Sequence, residues 1–141
     1  MNKQGNSFYE EIEIGLVHQS DIVKARQTGR KIASDLGFSM ADQTRLATAI
    51  SELTRNAVVY AGKGVCKITT KKEGIEKIIV VNVMDEGPGI PDIDQALTDR
   101  FSSGKSMGMG LPGTKRLVDS LAIQSVPGKT CVTIEMTRFI K

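Results

Sequence analysis

The chain has 141 residues, 40% hydrophobic and 25% charged, the balance of a globular protein with one core, so residues 1–141 are expected to form one domain. It has no run of about 18 apolar residues, and residues 1–10 are polar, so neither a membrane span nor a secretory signal is read and a cytoplasmic location is expected. Lys plus Arg is 19 against 16 Asp plus Glu, a net +3, and with 4% aromatics and no Trp this excludes the basic and stacking surfaces of a nucleic-acid binder.

Residues 7–17 alternate Glu11, Glu13 and Gly15 with Ile12, Ile14 and Leu16, which predicts a strand with one wet face. Ser20-Asp21 predicts a helix cap, and Ile22, Ala25, Gly29, Ile32, Ala33 and Leu36 predict the helix, closed by Gly37. A second helix is expected from about Ser39 to Ala61. Its buried stripe would be Leu46, Ala49, Ile50, Leu53, Ala57 and Tyr60, with Gly62 and Gly64 at its end. A strand over 65–72 turns at Glu73-Gly74 into 78–84, which is β-branched and apolar enough for an interior strand. Residues 92–101 predict a short helix and 102–110 a loop. A third long helix then carries Leu111, Thr114, Leu117, Val118 and Leu121. Strands over 122–126 and 130–139 flank a turn at Pro127-Gly128-Lys129. The order predicts a two-layer α/β sandwich with a mixed, mostly antiparallel sheet covered by helices on one face. Cys66 and Cys131 are far apart and in no CxxC, so they read as small hydrophobes rather than as zinc ligands or a disulfide.

Three sets of residues can carry chemistry. Glu52 and Asn56 share a face of the second helix at its stripe's edge, where a carboxylate takes a proton and an amide oxygen binds a hard cation. The same pair also fits a solvated helix face. Asp85 ends the apolar strand and leads into Glu86-Gly87-Pro88-Gly89-Ile90-Pro91. A carboxylate at the mouth of a buried strand needs a donor, such as the exocyclic amine of adenine, and the glycines let a flat ring approach. A plain turn is the other reading. Gly104-Lys105-Ser106-Met107-Gly108-Met109-Gly110-Leu111 feeds a helix N-terminus, which favours phosphate, although no P-loop motif is present and a surface loop fits as well.

In this order the three sets resemble the GHKL ATPase superfamily of gyrase, heat-shock chaperone, histidine kinase and MutL. The resemblance implies the Bergerat fold, with ATP held between helices and sheet under a lid. It implies Asn56 as the Mg²⁺ ligand and Asp85 as the reader of the adenine amine. Gly87 and Gly89 would form the first glycine box and Gly108 and Gly110 the lid glycines, with Ile90 and Leu111 beside them at the nucleotide. Thr130 would support Asp85 near adenine, although Lys129 stands where the family usually has Gly. Lys105 would neutralise the γ-phosphate. The long branches carry a further domain that 141 residues do not accommodate, and histidine kinases need a phosphoacceptor His, whereas His18 sits at a strand end. The stretches Asp21-Ile22-Val23, Leu36-Gly37-Phe38, Ala49-Ile50-Ser51-Glu52-Leu53, Tyr60-Ala61-Gly62-Lys63-Gly64 and Gly110-Leu111-Pro112-Gly113 resemble the stand-alone serine kinases that include anti-sigma factors and stressosome switch kinases. That resemblance implies a protein-serine/threonine kinase, with Glu52 accepting the proton of the incoming hydroxyl. Its partners would be STAS-domain proteins of a stressosome and a downstream effector such as a phosphatase. The alternative it leaves is an anti-sigma factor that sequesters its partner, with ATP as a structural ligand.

Overall fold

The computed structural model describes residues 7–87 and 110–141. The chain runs β1 (Ser7–Leu16), α1 (Gln19–Leu36), α2 (Met40–Asn56), a π-helical turn (Ala57–Ala61), β2 (Gly64–Glu73) and β3 (Glu76–Asp85). It continues as α3 (Gly110–Leu117), β4 (Ser120–Val126) and β5 (Lys129–Phe139). The expected helix over 92–101 lies outside the described residues.

The sheet order is β1-β2-β3-β5-β4. Among the described residues all four strand pairs are antiparallel, so the parallel admixture expected from sequence is absent. Two hairpins, β2–β3 and β4–β5, force opposed directions within each pair, and β5 lies antiparallel to β3 where the two join. The apolar β3 is the central strand, as its composition implies. Ile14, Leu16, Cys66, Ile68, Ile79, Val81, Val83, Val132, Ile134 and Met136 alternate onto one face of the sheet and are buried there. Ala25 and Ala33 of α1 and Leu46, Ala49, Ile50 and Leu53 of α2 complete that core.

Two boundaries differ from expectation. The first helix is capped at His18 rather than at Ser20. The Asp21 carboxylate reaches back to accept from the Val17 and His18 N–H groups at 2.8 and 2.9 Å, satisfying orphan donors at the helix start. The third helix stops at Leu117, and Leu121, expected on it, instead pairs with Ile134 in the sheet. Asp119 anchors the intervening corner: its carboxylate accepts from Thr137 N–H at 2.7 Å and from Arg138 Nη1 at 2.9 Å.

Arg138 ties this corner to the start of α2. Its Nε and Nη2 donate to Asp42 at 2.8 and 3.1 Å, and Arg45 Nη1 donates to Asp42 at 2.8 Å. The Arg138 hydrogen bond is the largest influence holding the Asp42 carboxyl below its ordinary value of 3.8, against the opposing effect of burial. The sign follows from linkage: a lowered folded value contributes stability that is complete above 3.8 and disappears as pH falls through the folded value. We expect Arg138→Ala to destabilise the fold by about 2 kcal/mol at neutral pH. Denaturant melts should show this difference shrinking below pH 3.8; a difference constant into acid would contradict the assignment.

Both cysteines are free thiols. Burial pushes the Cys66 thiol up to about 12, so it packs as an inert small hydrophobe. Among the described residues no helix is long and apolar enough to cross a membrane.

Candidate functional site

Two hydroxyls in the C-terminal half of α2 bond back to the helix backbone. Ser51 Oγ and Thr54 Oγ1 donate back to the carbonyls of Ala47 and Ile50, at 3.0 and 2.7 Å. After Asn56 the helix widens into the π-helical turn, an insertion typical of functional positions. The extra residue per turn rotates the apolar stripe. Ala57 stays buried, but Tyr60, expected in the stripe, is 43% exposed. Asn56 is half-buried at the junction, and its side chain makes no capping hydrogen bond.

Glu52 is only 6% exposed. Its position off the stripe centre predicts a stripe-edge residue, but α2 is packed by both α1 and α3, and that second neighbour widens its buried surface. Its Oε2 accepts from Arg55 Nη1 at 2.8 Å. Its Oε1 is buried and has no hydrogen-bond partner among the described residues. A buried orphan acceptor costs about 1–3 kcal/mol, so it marks a place where a donor is missing.

The second half of the site is a row across the ends of four strands. Asp85 of β3 lies opposite Gly64 of β2 and Thr130 of β5, and Thr130 lies opposite Ser125 of β4. All four residues fall on the helix-facing parity of their strands. Gly87 N–H donates to Asp85 Oδ1 at 2.9 Å. Burial pushes the Asp85 carboxyl above its ordinary value, and the Gly87 N–H opposes that rise. Thr130 is buried, with its Oγ1 3.0 Å from Ser125 Oγ.

Two glycines bring the helix end onto this row. A Cβ on Gly64 would collide with the Met84 carbonyl oxygen and lie 3.3 Å from Ala57 Cβ and 3.4 Å from Asp85 Cβ. A Cβ on Gly87 would lie 2.8 Å from Ala61 Cβ. Only residues without side chains let the π-helical turn rest on the strand ends. Ala57, the neighbour of Asn56, is thereby packed beside Asp85. Gly110 and Leu111, expected at the nucleotide, lie at the start of α3, which packs against α2 with Leu111 on the core. Gly89, Ile90, Lys105 and Gly108 lie outside the described residues.

Sequence reasoning missed Gly64 as a site residue, reading it as a helix terminator, and it missed Ser125. Both were reachable by register. Val126 pairs with Lys129 across a two-residue turn, which sets Ser125 opposite Thr130.

The residues fit a nucleotide. The row offers a carboxylate whose one bond among the described residues is at Oδ1, a hydroxyl pair and a cradle that any Cβ would fill. Among the described residues no group of three or more His, Cys, Asp or Glu forms a metal cage. Mg²⁺ needs none, since it keeps waters and binds through one or two protein oxygens plus substrate phosphates.

Comparison with known proteins agrees with this geometry. Residues 41–138 match the family described as histidine kinase-, DNA gyrase B-, and HSP90-like ATPase. The chain is 46% identical to the serine/threonine-protein kinase RsbT of Bacillus subtilis over 116 residues, 82% of this chain and 87% of that one. It is 29% identical to an anti-sigma F factor of Caldanaerobacter subterraneus subsp. tengcongensis over 120 residues, 82% of this chain and 83% of that one. Among solved structures, the RsbU and RsbW domains of Rv1364c from Mycobacterium tuberculosis share the fold, with a TM-score of 0.64 at 18% identity. That match covers 95% of this chain and 34% of the longer one. The Asp85 strand end, the Asn56 helix end and these matches together place the chain in the family of histidine kinase-, DNA gyrase B- and HSP90-like ATPases.

Proposed function

We propose that this chain is an ATP-dependent protein-serine/threonine kinase. Its acceptors are STAS-domain proteins of a stressosome, and their phosphorylation frees the kinase to engage a downstream effector such as a phosphatase. The observation that carries the kinase reading is the buried Oε1 of Glu52, which has no hydrogen-bond partner among the described residues and lies one helical turn before Asn56. A chain that held ATP only as a structural ligand would have no use for a buried carboxylate oxygen lacking a donor. The 46% identity to a serine/threonine-protein kinase supports the same choice.

When bound, ATP supplies the γ-phosphoryl group and Mg²⁺ neutralises its charge. Asp85 accepts from the adenine amine through the oxygen that Gly87 leaves free, and Thr130 supports it. Asn56 would hold the cation through its amide oxygen. Gly108, Gly110 and Lys105 would hold the phosphates. Glu52 Oε1 takes the proton of the acceptor hydroxyl as that oxygen bonds to the γ-phosphorus. The bond from phosphorus to the bridging oxygen breaks, and ADP leaves with its electron pair.

Incubation with γ-labelled ATP, Mg²⁺ and candidate STAS-domain proteins should give labelled serine or threonine. Asn56→Ala should remove most of the Mg²⁺ dependence of nucleotide binding. Absence of transfer to every STAS protein, with capture of a sigma factor instead, would replace the kinase reading by sequestration. An unchanged Mg²⁺ titration would remove Asn56 as the ligand.

A further inference from the structure

We propose that Arg55 is a positioning residue for phosphoryl transfer, holding one oxygen of Glu52 so that the other faces the acceptor hydroxyl. The inference rests on the reading of Glu52 as proton acceptor. A free carboxylate has two equivalent oxygens that exchange by rotation about its last torsion. Here they are not equivalent. Arg55 Nη1 donates to Oε2 at 2.8 Å, while Oε1 is buried with no partner among the described residues. The Glu52 side chain is 8% exposed and that of Arg55 37% exposed, so the guanidinium lies at the rim and the carboxylate inside.

The same helix supplies an internal control. Asp42 and Arg45 form an ion pair at the same i, i+3 spacing, also at 2.8 Å. There both carboxylate oxygens take donors, because Arg138 Nε occupies Oδ2 and Arg138 Nη2 shares Oδ1 with Arg45. That pair is saturated, as a structural clamp requires. The Glu52 pair stops halfway. A second donor would have stabilised the buried carboxylate further, and its absence keeps Oε1 available to a proton donor from outside the chain. Fixing Oε2 restricts the rotation that would otherwise turn the vacant oxygen away from the hydroxyl.

The test uses the full chain, Mg²⁺, ATP and a STAS-domain acceptor. Arg55→Gln should lower kcat roughly 10- to 100-fold, the cost of a misplaced catalytic group. ATP affinity and the KM for ATP should stay within about twofold of wild type, because the bond that Arg55 makes is to the Glu52 carboxylate. Arg55→Lys, which keeps a donor in reach, should recover most of the rate, and it serves if the Gln variant folds poorly. Adding Arg55→Gln to Glu52→Gln should cost nothing further, since the two residues act as one unit. Arg45→Gln should leave kcat unchanged. Wild-type kcat for Arg55→Gln, losses that add in the double variant, or weakened ATP binding would each overturn the proposal. If Glu52→Gln itself transfers at the wild-type rate, the proton-acceptor reading fails, and the role of Arg55 fails with it.

Discussion

Asp85→Asn should weaken ATP binding by about 100-fold or more while leaving the fold intact at neutral pH. The reason is a count of acceptors. Gly87 N–H already occupies Asp85 Oδ1, and the adenine amine requires the second oxygen. Asparagine has one acceptor oxygen, so one of the two donors loses its partner and faces an NH₂ group. Stability should move the other way. Burial raises the folded pKa of Asp85 above its ordinary 3.8, so its contribution to stability is complete below 3.8 and is lost as pH rises through the folded value. At neutral pH the ionised side chain is therefore a net cost to the empty protein. The neutral amide should keep or raise Tm there. Calorimetric titration with ATP and a thermal melt on the same sample would check both. Tight binding by the variant would refute the adenine assignment, and a large fall in Tm would mark Asp85 as structural.

Glu52→Gln should lose phosphoryl transfer by about 10²- to 10⁴-fold, the usual contribution of a positioned general base. Nucleotide affinity should be nearly unchanged. The amide fills the same volume and its oxygen can still accept from Arg55, but its NH₂ cannot take a proton. Single-turnover transfer to a STAS-domain protein, measured beside ATP binding, separates the two steps. Transfer at the wild-type rate would remove Glu52 as the proton acceptor.

What the sequence made legible was local. Asp85 reads as the end of an apolar interior strand, and β3 ends there in the centre of the sheet. Gly37 reads as a helix stop, and it takes that role with φ 94°. The helix at Glu52 and Asn56 was placed correctly up to Asn56. The π-helical turn beyond it is not visible in the sequence, because Ala57, Val58 and Tyr60 continue a 3.6-residue pattern, and the strand ends at Gly64 and Gly87 on which the turn rests are set by other parts of the chain. The early end of the third helix was hidden for a different reason. Asp119 is held by Thr137 and Arg138, partners 18 and 19 positions away, and nothing near it in the chain announces them. The packing of α3 against α2 is likewise a contact that no periodicity in α2 encodes.

The strand order has a bearing on how the molecule comes into being. β5 enters the sheet between β3 and β4, although both precede it in the chain. During synthesis, β1 to β3 leave the ribosome able to pair in sequence, yet one flank of the most apolar strand stays open until residues 129–139 have emerged. A nascent chain paused before that point exposes an unpaired edge of Ile, Val and Met residues, the kind of surface that chaperones bind and that seeds aggregates.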